Sequence, residues 1–287
     1  MKNTVAVRRD NGWRGGFIEW VERETVHLSV VFSWQLVAAA RRIAELESQG
    51  WRVLVGGPAI CYAGLADGDH PGAYRHHNDR AVFTTRGCPF RCPFCIVPSI
   101  EGDLVELPDS AWKPAPRAIV CDNTLNACSR RHFDRVIDRL KGVDDIDIQG
   151  VSLSLLTSYQ ASRLAELRLK VIHVAWDNIG QERQFFDGFA VLREAGIPKS
   201  KIVCYVLIGY KDSPDDALYR LEMVRALGVK PFPMRYQPLD VAKRNEHVGE
   251  NWTHDELVRY CRYWANLRIT NKIPFAEFDN SYRGGSR

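Results

Sequence analysis

Residues 81–98 read AVFTTRGCPFRCPFCIVP. The first five are apolar or β-branched, which is the composition of a short strand. The loop that follows places Cys88, Cys92 and Cys95 in a C-x3-C-x2-C spacing, with Pro89 and Pro93 between them. Thiolates at such spacing bind zinc or iron–sulfur clusters. Three thiolates are one short of a closed structural zinc site, and the chain has no second C-x2-C pair. His76 and His77 are the candidates for a fourth zinc ligand, the alternative for both being a solvated loop. A four-iron cluster held by three cysteines instead leaves one iron open to a ligand that is not protein.

Outward from this loop the pattern becomes regular. Strand-like runs recur at 81–85, 117–122, 145–150, 170–176, 201–210 and 231–236, and helical periodicity fills 129–142, 158–168, 181–196 and 213–228. Strands alternating with helices predict an α/β fold with a parallel sheet, open or curled into a partial barrel. Chemistry in such sheets sits at the carboxyl ends of the strands, where the cysteine loop falls. Ahead of it, strand-like 25–32, helical 33–50 and strand-like 51–57 predict a short βαβ unit with a parallel crossover. The stretch 61–80 reads as a loop, and 253–267 as one further helix before a polar tail. Three segments result: an N-terminal α/β unit over 1–79, the alternating domain over 80–240 and a C-terminal extension over 241–287.

Bulk composition restricts the function classes. The 287 residues are 45% hydrophobic and 26% charged, with a formal net charge of +4. Such a mild basic excess permits an anionic partner without demanding one. No apolar run is long enough to cross a bilayer, and the N-terminus lacks a signal-peptide core, so a soluble cytoplasmic protein is expected. Eight cysteines with only one tight cluster favour metal binding over a disulfide framework. The helical run 129–142 interleaves Arg130, Arg131, Arg135 and Arg139 with Asp134 and Asp138, which reads as a solvated face rather than a nucleic-acid stripe.

The stretch TTRGCPFRCPFCIVPSIEG, 84–102, resembles the signature of the radical S-adenosylmethionine (SAM) superfamily, C-x3-C-x-aromatic-C after the first barrel strand, with Phe94 at the aromatic position. The resemblance implies a partial (β/α)6 barrel of the TIM type. It also implies a [4Fe–4S] cluster on Cys88, Cys92 and Cys95, with SAM chelating the open iron. One electron then cleaves SAM to methionine and a 5′-deoxyadenosyl radical that abstracts hydrogen from substrate. The closest pattern is the cobalamin-binding and methylthiotransferase-like branch. VIHVAWDN, 171–178, occupies its fourth strand and puts Asp177 at the acidic position that would meet the SAM ribose; a helix-start carboxylate is the other reading. YVLIGYKDSPDDAL, 205–218, resembles its fifth-strand segment, with Gly209 letting backbone approach the adenine or simply making a turn. CDNTLN, 121–126, sits where relatives carry Gly-Gly-Glu. The chain departs from them there, and Asp122 and Asn123 are the substitutes on offer, or else turn residues. Gln149 and Ser152 face the same mouth and are candidates for SAM or substrate.

Residues 30–60 resemble the last part of a cobalamin-binding Rossmann domain. The D-x-H-x-x-G cobalt ligand segment is missing, so a truncated remnant without cobalamin is expected. Candidate substrate contacts are Arg235, Tyr236 and Gln237, which equally suit a solvated strand end, and Trp176, for which core packing is the default. No second cysteine triad accompanies the first, which argues against methylthiotransfer. By elimination a lyase, mutase or oxidase acting on a small polar molecule is expected, a nucleoside or modified base among them. Its partner would be a one-electron reductant such as flavodoxin or ferredoxin. An RNA-modifying radical SAM enzyme, with nucleic acid as a less favoured partner, and a non-catalytic iron–sulfur carrier or sensor remain the alternatives.

Overall fold

The computed structural model describes residues 17–62, 73–238 and 240–282. Its first unit begins with β1 (Phe17–Glu22) and β2 (Thr25–Val30), an antiparallel pair that pairs Glu22 with Thr25. The two turn residues, Arg23 and Glu24, both adopt positive φ, 45° and 66°, as tight hairpin turns matched to strand twist require. Helix α1 (Leu36–Ser48) then returns the chain to β3 (Arg52–Gly56), which lies parallel to β2. The βαβ pattern expected over 25–57 is present, and β1 adds an antiparallel edge that the pattern reading did not include. Val26, Leu28, Val30, Ala39 and Leu46 bury its small core. Two short helices follow, α2 (Pro58–Tyr62) and α3 (Ala73–His77); of the expected 61–80 loop, residues 63–72 lie outside the described residues.

The main body opens with β4 (Ala81–Val82) and β5 (Thr85–Arg86), continues through α4 (Val97–Ile100) and reaches β6 (Val105–Glu106). β5 and β6 pair antiparallel and bracket the cysteine loop. Alternation then runs β7 (Ile119–Val120), α5 (Arg130–Leu140), β8 (Ile146–Ile148), α6 (Ser158–Ala165), β9 (Leu169–Trp176), α7 (Glu182–Glu194), β10 (Ile202–Ile208), α8 (Pro214–Ala226) and β11 (Lys230–Arg235). The six-stranded sheet has the order β11-β10-β9-β8-β7-β4, with every neighbouring pair parallel. Each new strand is laid beside the previous one. The order never reverses, as it does in doubly wound sheets. Two more helices, α9 (His254–Trp264) and α10 (Leu267–Thr270), close the chain. Leu257, Tyr260, Tyr263 and Trp264 of α9 share the main core, so this segment packs as part of the sheet domain.

Strand periodicity gives the sheet two unlike faces. Along β9 the residues Ile172, Val174 and Trp176 are buried against helices, while His173 and Ala175 point the other way. Along β10 the buried set is Ile202, Cys204, Val206 and Ile208, with Tyr205 on the opposite face. Helices begin where polar caps satisfy their free N–H groups: Thr157 with Gln160, Ser213 with Asp216 and Thr253 with Glu256 form capping boxes. The charged face of α5 is tied up internally, Arg163 pairing with Asp134 at 3.2 Å and Asp138 at 2.7 Å, and Arg139 lying over Trp112. No helix among the described residues is long and apolar enough to cross a membrane.

The carboxyl ends of β9 and β10 are joined by one buried cation. Arg220 donates to the carbonyls of Trp176 at 2.8 Å and Leu207 at 2.9 Å, and pairs with Asp212 at 2.6 Å. Asp212 also accepts from Gly209 N–H at 2.9 Å and Trp252 Nε1 at 3.2 Å. Removing one partner of such a pair strands a buried charge. Arg220→Met is expected to lower stability by about 3–5 kcal/mol, read as a shift in the urea unfolding midpoint. Adding Asp212→Asn should recover part of that loss; full additivity of the two changes would contradict the coupling.

Candidate active site

The cysteine loop is shaped by the segment just after it. Gly87 has φ +73°, and a Cβ there would lie 2.0 Å from the Asp103 carbonyl oxygen, so only glycine fits. Its N–H donates to Glu101 Oε2 at 2.8 Å, and the same oxygen accepts from Asn123 Nδ2 at 3.0 Å. The other Glu101 oxygen meets Arg86 at 3.1 Å. Cys88 N–H donates to the Gly102 carbonyl at 3.3 Å, and Arg91 pairs with Asp103. One half-buried carboxylate thereby links the loop's first turn, the end of β5 and Asn123 beyond β7.

The loop roofs a cavity of about 370 Å³ at the carboxyl ends of β7, β8 and β9. Cys88, Cys92, Cys95, Phe94, Asn123, Gln149, Ser152 and Asp177 all line it. These are most of the residues expected to serve cluster and SAM, and they line one cavity. Phe94 also leans edge-on against Tyr210, with centroids 5.6 Å apart. Thr124, His173, Tyr205, Gln184 and Phe185 line the same space and were not anticipated. For His173 a signal existed: it lies in register with Asp177 at period two, on the face opposite Val174 and Trp176. Glu101 carried no such signal, since only its hydrogen bonds reveal its role.

The remaining candidates lie elsewhere among the described residues. Asp122 is 1% exposed, and its carboxylate accepts from Thr84 N–H at 2.6 Å and from the Thr84 hydroxyl. It fastens the chain beyond β4 to the end of β7 and is not on the cavity wall. Gly209 has φ +78°, and a Cβ there would meet Leu257 at 2.8 Å, so its turn is packed against α9. Trp176 is fully buried on the helix side, stacked on Phe185 with centroids 4.5 Å apart. Alternation explains this: residue 176 cannot share a face with residues 173 and 177. Arg235 donates to the His247 carbonyl at 2.7 Å, and Gln237 accepts from Asn245 N–H at 2.8 Å. Tyr236 packs on Tyr210 at 4.7 Å, one ring removed from Phe94. His76 stacks on Trp20 at 4.5 Å in the first unit, away from the cysteine loop's cavity.

The electrostatics of the wall are those of a site short of cations. Burial pushes the Cys92 and Cys95 thiols up. Burial likewise lifts the Asp177 carboxyl to about 6, against the opposing pull of Arg220. Cys88 Sγ lies 3.4 Å from the Thr124 hydroxyl. No three His, Cys, Asp or Glu side chains among the described residues converge as the ligands of one metal ion do. Cys88, Cys92 and Cys95 are free thiols, and all three line the cavity.

No protein-family model matches the chain, and no curated protein matches it either.

The raised Asp177 value has a definite consequence for stability. Because the folded chain holds this proton more tightly, Asp177 favours the fold below about pH 4, and that contribution is lost as pH rises through about 6. In the iron-free protein, Asp177→Asn is expected to raise stability at pH 8 by on the order of 1–2 kcal/mol. At pH 4 the variant and the parent should nearly coincide. Urea unfolding at the two pH values measures both.

Proposed function

We propose that the protein is a radical SAM enzyme whose sheet is curled into a partial (β/α)6 barrel, and that it abstracts hydrogen from a small polar substrate. The observation that carries this reading is the gathering of Cys88, Cys92, Cys95, Phe94 and Asp177 around one cavity beside a parallel sheet. The unreversed strand order supports the barrel, as does a sheet with one face packed on helices and the other carrying His173 and Tyr205 to the cavity.

In this reading Cys88, Cys92 and Cys95 hold a [4Fe–4S] cluster and leave one iron for SAM. The chemistry that this pair supplies when bound is one-electron reductive cleavage of the sulfonium, with the 5′-deoxyadenosyl radical taking a hydrogen from substrate. The electron comes from a flavodoxin- or ferredoxin-like donor. What the chain contributes is position and shelter. Glu101 holds the Gly87 turn and Asn123 together, fixing the loop that carries the thiols. Asp177, with no protein donor on its carboxylate among the described residues, is available to accept from ribose hydroxyls. Phe94, buttressed by Tyr210 and Tyr236, covers the mouth and excludes water from a reactive radical. The three-stranded first unit lacks the cobalt-ligand segment, and cobalamin plays no part in the proposal.

Anaerobic reconstitution with iron and sulfide, followed by dithionite and SAM, tests this directly. The expected outcome is a brown protein that yields 5′-deoxyadenosine and methionine. Cys92→Ala should lose both the cluster's visible absorption and the product. An intact cluster that cleaves no SAM, or a colourless protein carrying one zinc per chain, would overturn the proposal.

A further inference from the structure

The cavity changes character with depth. Its mouth carries the cysteine loop and Asp177, which follows the last residue of β9. His173 lies four residues earlier on the same strand, roughly 13 Å deeper at about 3.3 Å per residue. Beside it, on β10, stands Tyr205, whose ring stacks on the imidazole with centroids 5.0 Å apart and planes 17° from parallel. From β8, Asp147 Oδ1 lies 3.2 Å from His173 Nε2 and accepts from Gln149 Nε2 at 2.5 Å. Three adjacent strands thus bring an Asp–His–Gln network and a phenol to the inward face. His173, Gln149 and Tyr205 all reach the cavity wall.

Packing does not account for these residue types. The outward partners on the same strands are Ile146, Ile148, Ile172 and Val174, all buried and apolar, and apolar side chains would fill the inward face as well. Instead Asp147 and His173 are only 15% and 12% exposed, and His173 Nδ1 is enclosed without a hydrogen-bond partner. A buried polar atom left unpaired costs about 1–3 kcal/mol. The fold bears that penalty at a position where Phe or Leu would avoid it.

The arrangement also fixes what is offered to a ligand. Asp147 holds the Gln149 amide by its nitrogen, which leaves Gln149 Oε1 as an acceptor. The Tyr205 hydroxyl takes no partner among the described residues and can donate or accept. No Lys or Arg among the described residues lines the cavity, and the formal charges bordering it are the carboxylates of Asp147 and Asp177. A phosphate or carboxylate brought to this floor would lose its hydration, gain no cation and face like charge.

We infer that His173, Asp147, Gln149 and Tyr205 form the recognition floor of the cavity, and that it takes an uncharged or cationic planar polar group, of the heteroaromatic amide or amine class, and rejects anionic ones. Gln149 and Tyr205 make the contacts; Asp147 is a positioning residue that orients Gln149 and His173. This deepens the proposed enzyme reading, on which it rests only in calling the ligand a substrate. Binding at the floor needs neither iron nor SAM.

The test uses the full-length, iron-free protein and two matched pairs of probes, cytosine with orotate and histamine with imidazole-4-acetate. Ligand-observed NMR and calorimetry report the affinities. At least one of cytosine and histamine is expected to bind, with its anionic counterpart at least tenfold weaker. Tyr205→Phe and Gln149→Leu should each weaken the bound probe by about fivefold or more, with an unchanged melting temperature. In Asp147→Asn the long-range ¹H–¹⁵N spectrum of His173 should change from a single Nε2–H tautomer to a mixture, a signature that a purely structural role would not require. Equal binding of the anionic partners, binding untouched by the variants, or failure of both cytosine and histamine to bind would each overturn the inference. None of these outcomes bears on SAM cleavage, so the enzyme reading stands or falls separately.

Discussion

A single buried guanidinium sets the geometry on which the site depends. Arg220 caps the last carbonyl of β9 and the penultimate residue of β10, and Asp212 neutralises it at 2.6 Å. Parallel strands end in carbonyls that the next helix cannot satisfy, and water is the usual remedy. Here an interior cation serves instead, and the strand ends are held in a fixed relation. Asp177 is the next residue after Trp176, so its position follows from the capped carbonyl. Gly209 and Tyr210 turn around Asp212, and Tyr210 is the ring against which Phe94 rests. The mouth of the cavity is thereby tied to the core through a short covalent and hydrogen-bonded path.

The second constraint is the two-residue period of the strands. Outward residues of β8, β9 and β10 are buried and apolar; the inward positions include Asp147, His173 and Tyr205, of which His173 and Tyr205 line the cavity. A one-residue slip of β9 would exchange Trp176 with Asp177 and bury a carboxylate beneath helices. The deep burial of Trp176, stacked on Phe185 and edge-on to Phe186, opposes that slip. Packing on one face thus protects chemistry on the other.

Much of this was legible in the sequence, and the parts that were not share a cause. Strands β7 to β11 and their helices announce themselves through period-two and helical patterns. The cysteine loop announces itself through spacing. β1 and the β5–β6 pair escaped because strands of two to six residues, without a flanking helix, carry too little pattern. Chain position makes Asp122 a SAM candidate, whereas its carboxylate turns to Thr84; Trp176 takes the core packing that is its default, stacked on Phe185. Glu101 was invisible because its partners come from Gly87, Arg86 and Asn123, contacts that no local periodicity encodes. His173 and Tyr205 needed only the register of Asp177 extended down the cavity-facing side of the strands.

The cavity's lining also bears on which molecules suit it under the proposed chemistry. Three thiols, a carboxylate and no Lys or Arg among the described residues make a wall that favours positive charge brought in from outside. Buried carboxylates and thiols resist ionising alone, as the upward shifts at Asp177, Cys92 and Cys95 indicate. A cationic cofactor group and iron would relieve both penalties at once, since each supplies the countercharge the protein withholds. The same shortage of cations makes a phosphate backbone an unsuitable occupant, because its affinity comes chiefly from Lys and Arg. A neutral or positively charged small molecule is the occupant for which this wall requires no additional partner.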